Sequence, residues 1–352
     1  MPNGRHGFRT SPLATIAMVT YNSGRFLREA MQSALAQDCD DFELLVCDDC
    51  SHDDSWDIVK SFDDRRIRAV RNDVNLGEYL NRNKALGLAR GKYIMFLDGD
   101  DIIYPHGLRQ LVRVMEQFPR AAFASCLEPS EKFIYPVELE SRQFCMCAFL
   151  GPGGLANDFT QLFFRTEALR AAGGFDGRYR SGDTQIQLKL GLRSHVVLTG
   201  GGLAWWRKRR GQASEAIRSN GEAVKERWQY GVDALNDPAC PLTPSEKTDA
   251  RHNLSRLVLR HALRLASRGQ LHDALRIALT TGIRATEWRS LLRGYQFPYL
   301  RDVTGDNPIR ERIDVPVPAP MVPRRSWRPK ALRLAQRVPA RRSVLELATP
   351  AE

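Results

Sequence analysis

Tyr93-Ile94-Met95-Phe96-Leu97-Asp98-Gly99-Asp100-Asp101 joins an apolar run to a cluster of carboxylates. With Gly91 before it and acids after it, the run reads as a short buried strand. Carboxylates gathered at the carboxyl end of such a strand repel one another unless a cation sits among them. Hard divalent cations take oxygen ligands, and Mg²⁺ uses one or two carboxylates together with substrate phosphates. The stretch points to a metal-bound nucleotide, provided that its neighbours build the rest of the site.

Toward the N-terminus, residues 14–19 form an apolar strand ending in Thr20-Tyr21-Asn22-Ser23-Gly24. Phe26, Leu27, Ala30, Met31, Ala34 and Leu35 then recur at helical spacing. Residues 42–47 are a second strand, ending in Asp48-Asp49, after which Asp54 or Ser55 caps a helix carrying Trp56, Ile58, Val59 and Phe62. A third strand over 67–70 and a helix over 79–89 lead back to Gly91. This alternation means βαβ units and a parallel sheet, with ligands bound outside the carboxyl ends of the strands. Thr20-Tyr21-Asn22, Asp48-Asp49 and Asp98-Gly99-Asp100 then share one edge. The fold class is α/β, a mostly parallel central sheet flanked by helices.

Downstream, a helix is expected over 108–118, strands over 121–126 and 159–165, and a short helix over 166–172 ended by Gly173-Gly174. Residues 186–192 read as a helix with Asp183 near its start, and 195–198 as an edge strand or connector. Gly151-Pro152-Gly153-Gly154 has the composition of a loop that closes over a ligand. After about Ser214 the pattern turns helical, over 222–235, 245–268 and 271–279, with Gly269-Gln270 as a tight connection. Residues 305–325 are Pro-rich, and 324–347 mix arginines with Trp327, Leu332 and Leu334.

The net charge of +11 is uneven, with acidic clusters early and arginine dense after Trp205. Each Lys or Arg near an anionic membrane contributes on the order of 1 kcal/mol, so the basic end suits peripheral membrane contact. Nucleic acid is not expected as a partner, because the aromatics form no stacking platform. The seven cysteines are odd in number and scattered, which excludes a full disulfide framework and fits a reducing cytoplasm. Cys47-Asp48-Asp49-Cys50 has zinc-like spacing but no matching second pair, so Cys47 reads as a small buried apolar residue. With no signal peptide and no apolar stretch of about 20 residues, a cytoplasmic location is expected.

Over about residues 12–215 these motifs resemble the inverting family 2 glycosyltransferases of the GT-A fold. The resemblance rests on Val19-Thr20-Tyr21-Asn22, on Asp48-Asp49-Cys50-Ser51-His52-Asp53 with Cys50 where Gly is usual, and on Asn75-Leu76-Gly77. It continues through Arg82-Asn83, Ala89-Arg90-Gly91-Lys92-Tyr93, Phe164-Arg165 and Gly173-Gly174-Phe175-Asp176. Together with the pattern and composition of the remainder, it gives four divisions: a flexible N-terminus (1–12), the GT-A domain (13–215), a helical region (216–300) and a partly disordered Pro/Arg-rich tail (301–352).

The same resemblance implies the roles. Asp49 bonds the nucleobase edge, with Asp48 the more structural of the pair, and Thr20, Tyr21 and Asn22 line the base and ribose. Arg82 sits near the nucleotide. Asp98 approaches the ribose or the metal, Asp100 ligates Mn²⁺ or Mg²⁺, and Asp101 is structural. Asp183 is the catalytic base. The donor is a nucleotide-diphosphate sugar, a UDP-sugar first among them, and the acceptor is a glycan, a lipid-linked species or a small molecule, as in assembly of cell-envelope polysaccharide. Two departures stand out: Gly182 precedes Asp183 where Glu is usual, and Arg209 stands where a His is common. A decayed binding module is the competing reading, although Asp49, Asp98, Asp100 and Asp183 are all retained. A nucleotidyltransferase would carry a Gly-rich N-terminal phosphate loop, which is missing.

Overall fold

Strands β1 (Ala14–Thr20) and β2 (Phe42–Asp48) are buried along their whole length, as strands covered by helices on both faces must be. The computed structural model describes residues 11–127, 135–151, 159–208 and 222–283. The expectations on residues 1–10, on the loop beyond Gly151, on Arg209, on 284–300 and on the tail 301–352 lie outside the described residues.

The first half alternates as the sequence indicates. Helix α1 (Gly24–Leu35) follows β1, and α2 (Ser55–Lys60) follows β2. Then come β3 (Ile67–Arg71), α3 (Glu78–Leu88) and β4 (Tyr93–Asp98). Gly91 admits the chain to β4: a Cβ there would lie 2.4 Å from the Thr15 backbone nitrogen. Its own N–H donates to Thr15 Oγ1 at 2.9 Å, and its carbonyl accepts from Thr166 Oγ1 at 2.7 Å.

Beyond β4 lie β5 (Ile102–Ile103), α4 (Gly107–Gln117), β6 (Ala121–Leu127), β7 (Val137–Leu139) and α5 (Ser141–Cys145), which runs on as a wider turn over Met146–Leu150. Next are β8 (Leu162–Arg165), α6 (Thr166–Ala171), α7 (Gly182–Gly191), β9 (His195–Gly200) and β10 (Ala204–Trp205). The order in the main sheet is β3-β2-β1-β4-β8-β6-β9-β7, with β5 and β10 forming a separate two-stranded ribbon. β8 is antiparallel to both β4 and β6, and β7 is antiparallel to β9.

Two expectations change. The strand expected over 159–165 begins only at Leu162, because Phe159–Gln161 tightens into a turn of 3₁₀ helix. Residues 195–198 are not an edge: β9 pairs with β6 on one side and β7 on the other. The edge is β7, whose three residues are too few to show a period.

The helical part comprises α8 (Glu222–Asn236), α9 (Pro244–Ser267) and α10 (Leu271–Thr280). Thr243 and Glu246 form a capping box at the start of α9. Gly269, at φ 79°, makes the turn into α10. Trp228 Nε1 donates to Ser255 Oγ at 3.3 Å across α8 and α9, and Arg142 pairs with Glu246 at 2.6 Å. No helix among the described residues is long and apolar enough to cross a membrane.

Candidate active site

From β1 the chain steps outward through β2 to β3, then returns to place β4 on the other side of β1. The crevice between β1 and β4 is therefore a topological switch point, where open α/β sheets bind ligands. Register brings the polar strand ends level: Thr20 lies beside Asp48, and Val19 beside Asp98. The three clusters expected on one edge are together.

Thr20 is buried, and its Oγ1 has no hydrogen-bond partner among the described residues. Tyr21 is 46% exposed. Asn22, at φ 49°, accepts from the His52 N–H through Oδ1 at 2.9 Å, and its own N–H donates to Ser51 Oγ at 2.9 Å. These bonds tie the turn after β1 to the turn after β2.

Asp48, the last residue of β2, and Asp49 beyond it are both buried. Asp49 accepts from the N–H groups of Leu76 and Gly77 at 2.9 Å each and from Asn72 Nδ2 at 2.6 Å, so it anchors the loop into α3. That loop has no strand to pair its amides, and a buried carboxylate supplies the acceptors. Asp48 accepts from the Ser51 N–H at 3.1 Å and faces Arg71 at 3.4 Å through Oδ2, whereas its buried Oδ1 has no partner among the described residues.

Arg82, only 1% exposed, is no surface residue. Its Nη2 donates to Asp98 Oδ1 at 2.5 Å and to Glu78 Oε1 at 3.2 Å, and the guanidinium lies over the Phe159 ring at 3.9 Å. Burial opposes the charge, and the two carboxylates hold it in place. The Asp98 side chain is 36% exposed, so it remains open on the crevice side.

Asp101 is buried, and its Oδ1 accepts from the Arg207 N–H at 3.0 Å. Arg207 also donates from Nε to the Asp100 carbonyl at 2.8 Å and pairs with Glu29 at 2.6 Å, stacked on Phe26 and Trp205. Arg207 thus pins the turn carrying Asp100 through two bonds. Among the described residues no group of three or more His, Cys, Asp or Glu side chains is arranged to hold a metal. Two carboxylates on one turn nevertheless fit a hard cation whose remaining ligands are phosphate and water.

Asp183 lies in the first turn of α7, and its Oδ1 accepts from the Thr184 N–H at 2.6 Å. Two residues the motifs did not single out tie it to the rest. The Tyr79 hydroxyl accepts from the Gly182 N–H at 2.9 Å and donates to the Arg180 carbonyl. Burial, with Glu78 beside it, pushes this hydroxyl well above its ordinary pKa, so it stays protonated. The carboxylate of Glu226 on α8 bonds the same segment. Tyr79 and Arg82 stand one turn apart on α3, on the same face. One helix thus touches both Asp98 and the residue preceding Asp183.

Residues 15–169 match the family model for Glycosyl transferase family 2. The chain is similar to the Escherichia coli UDP-Glc:alpha-D-GlcNAc-diphosphoundecaprenol beta-1,3-glucosyltransferase WfaP, with 36% identity over 104 residues, which is 30% of this chain and 41% of that protein. The match thus spans less than half the length of that relative. In fold it is similar to residues 1–349 of Staphylococcus aureus TarS in complex with UDP-GlcNAc, at TM-score 0.59 and 19% identity over 82% of this chain and 90% of that one. It is also similar to the mannosyltransferase PcManGT from Pyrobaculum calidifontis in complex with GDP-Man and Mn²⁺, at TM-score 0.53 and 18% identity over 86% of this chain and 83% of that one. Residues 15–169 thus carry the glycosyltransferase family 2 match, and the chain around them has the GT-A fold.

Proposed function

We propose that this protein transfers a sugar from a nucleotide-diphosphate donor to an acceptor hydroxyl, with inversion at the anomeric carbon. One observation supports the reading: α3 bonds both Asp98 at the switch point and Gly182, next to Asp183, as a single site for leaving group and base would require. The nucleotide lies along the ends of β1 and β2, with the exposed ring of Tyr21, the hydroxyl of Thr20 and the turn of Asn22 toward base and ribose. Asp49 contributes through the loop it anchors and offers its remaining lone pairs to the base.

The acceptor oxygen attacks the anomeric carbon as the bond to the diphosphate breaks, and its proton passes to the Asp183 carboxylate. No covalent intermediate is required. Asp100 and Asp98 would hold Mn²⁺ or Mg²⁺, which supplies Lewis-acid stabilisation of the departing diphosphate. Arg82 holds Asp98 in place, and the pinned Asp100–Asp101 turn spares the site reorganisation as charge develops.

The donors in the structural neighbours, UDP-GlcNAc and GDP-Man, support a sugar nucleotide, and we take a UDP-sugar as the first candidate. The lipid diphosphate in the name of WfaP supports a lipid-linked or glycan acceptor, of the kind used in building cell-envelope polysaccharide.

A thermal-shift panel of UDP-glucose, UDP-GlcNAc, dTDP-glucose and GDP-mannose, with and without Mn²⁺, tests the reading, since a bound donor stabilises by mass action. At 100-fold excess over Kd the gain is about 2.7 kcal/mol, an easily measured rise in Tm. Asp100→Ala should lose the Mn²⁺-dependent part of the shift while its own Tm stays near that of the parent. Asp183→Asn should bind donor normally and lose transfer by at least about 10²-fold. If no nucleotide moves Tm, the decayed-module reading takes its place.

A further inference from the structure

We infer that Glu226, on a helix beyond the family-matched segment, is a positioning residue for Asp183. The inference rests on the reading of Asp183 as the base. Glu226 is 8% exposed, and its Oε2 accepts from the N–H groups of both Arg180 and Ser181 at 3.0 Å each. The Gly182 N–H goes to the Tyr79 hydroxyl at 2.9 Å. Two side chains, from α8 and α3, thus take three successive amides leading into Asp183. Two turns farther along α8, Asp233 accepts from the Tyr179 hydroxyl at 2.7 Å, so the approach to the base is laid along this helix. The Tyr179 and Tyr230 rings meet edge to face at 5.8 Å on the same side.

The amides of a helix N-terminus and of the turn before it need acceptors, which Glu226 and Tyr79 supply here. A base must lie within hydrogen-bond reach of the proton it takes, and a displacement of about 1 Å can cost on the order of 10²-fold in rate. Glu226 therefore acts on the chemistry through Asp183, without touching substrate. Gly182 fits the same arrangement, because a Cβ at that position would lie 2.3 Å from Tyr79 Cε1. The ring and hydroxyl of Tyr79 close over the backbone only where no side chain intervenes.

The test uses the full chain in four forms: parent, Glu226→Ala, Glu226→Gln and Asp183→Asn. Release of nucleoside diphosphate is followed with whichever of UDP-glucose, UDP-GlcNAc, dTDP-glucose or GDP-mannose shifts Tm, in the presence of Mn²⁺. Amide hydrogen exchange over residues 178–184 is read in parallel and needs no substrate. Glu226→Ala should lower kcat by about 10- to 100-fold with donor KM within about 2-fold, and should speed exchange at residues 180 and 181. Glu226→Gln keeps an oxygen that accepts both amides and should retain kcat within about 3-fold. An unchanged kcat or unchanged exchange in Glu226→Ala overturns the proposal, as does a parallel loss of donor affinity. Glu226→Gln as damaged as Glu226→Ala also overturns it, since charge would then matter and not the amide bonds. Full turnover in Asp183→Asn would instead remove the base assignment, and the positioning role with it. Should Glu226→Ala fail to fold, Tyr79→Phe carries the test: it keeps the ring, loses the bond to Gly182 and should show the same split between kcat and KM, an unchanged kcat refuting the arrangement.

Discussion

At Cys50 the backbone stands at φ 65°, a left-handed conformation that costs an L-residue about 1–2 kcal/mol and a glycine almost nothing. The side chain recovers a little of that through a weak Sγ contact of 3.5 Å to the Asp73 carbonyl. Resemblance alone marked Cys50 as a departure from Gly, and the dihedral supplies the physical reason Gly is usual there. Cys50→Gly should raise stability by about 0.5–1 kcal/mol, read as a higher urea midpoint at unchanged slope. A lower midpoint would mean that the thiol contact outweighs the strain. The same scale shows what a motif does not disclose. Asp48 and Asp49 are adjacent and chemically identical, and only the fold decides which one the loop consumes.

Among elements, β4 depends on the close passage at its entrance. A Cβ on Gly91 would meet the Thr15 nitrogen at 2.4 Å and the Ala14 carbonyl carbon at 2.5 Å, backbone atoms that cannot rotate away. Gly91→Ala should cost at least about 2 kcal/mol, seen in chemical denaturation, because two paired strands must separate to admit it. The four parallel strands and their helices were legible in the sequence, since each such strand is a continuous apolar run closed by polar residues. Strand direction was not, and so β8 gave no sign of running antiparallel. β5 and β10 have two residues each, below any period, and β9 is apolar enough to be either interior or edge. The switch-point residues stood out because they cluster at strand ends. Tyr79 and Glu226 did not, because each meets the segment before Asp183 only through packing of distant parts of the chain.

Over the whole molecule, acidic side chains are held by basic partners spread across the surface. Arg66 lowers the pKa of Asp64, Lys92 that of Glu116, Arg178 that of Asp176 and Arg142 that of Glu246, in each case foremost through a side-chain hydrogen bond. A carboxyl whose folded pKa is depressed contributes stability above its unfolded pKa, about 3.9 for Asp and 4.3 for Glu, and loses it as pH falls through the folded value. Each exposed pair contributes little by itself. Together they should give a Tm that is flat from about pH 5 to 8 and falls progressively below about pH 4.5; a Tm that rises on acidification would contradict the linkage. Asp98 at the switch point and the segment leading into Asp183 both hang on α3, through Arg82 and Tyr79. They are the two jaws of a caliper cut from one rod. On the proposed function, a rigid displacement of α3 would carry both jaws together and leave the gap between them unchanged.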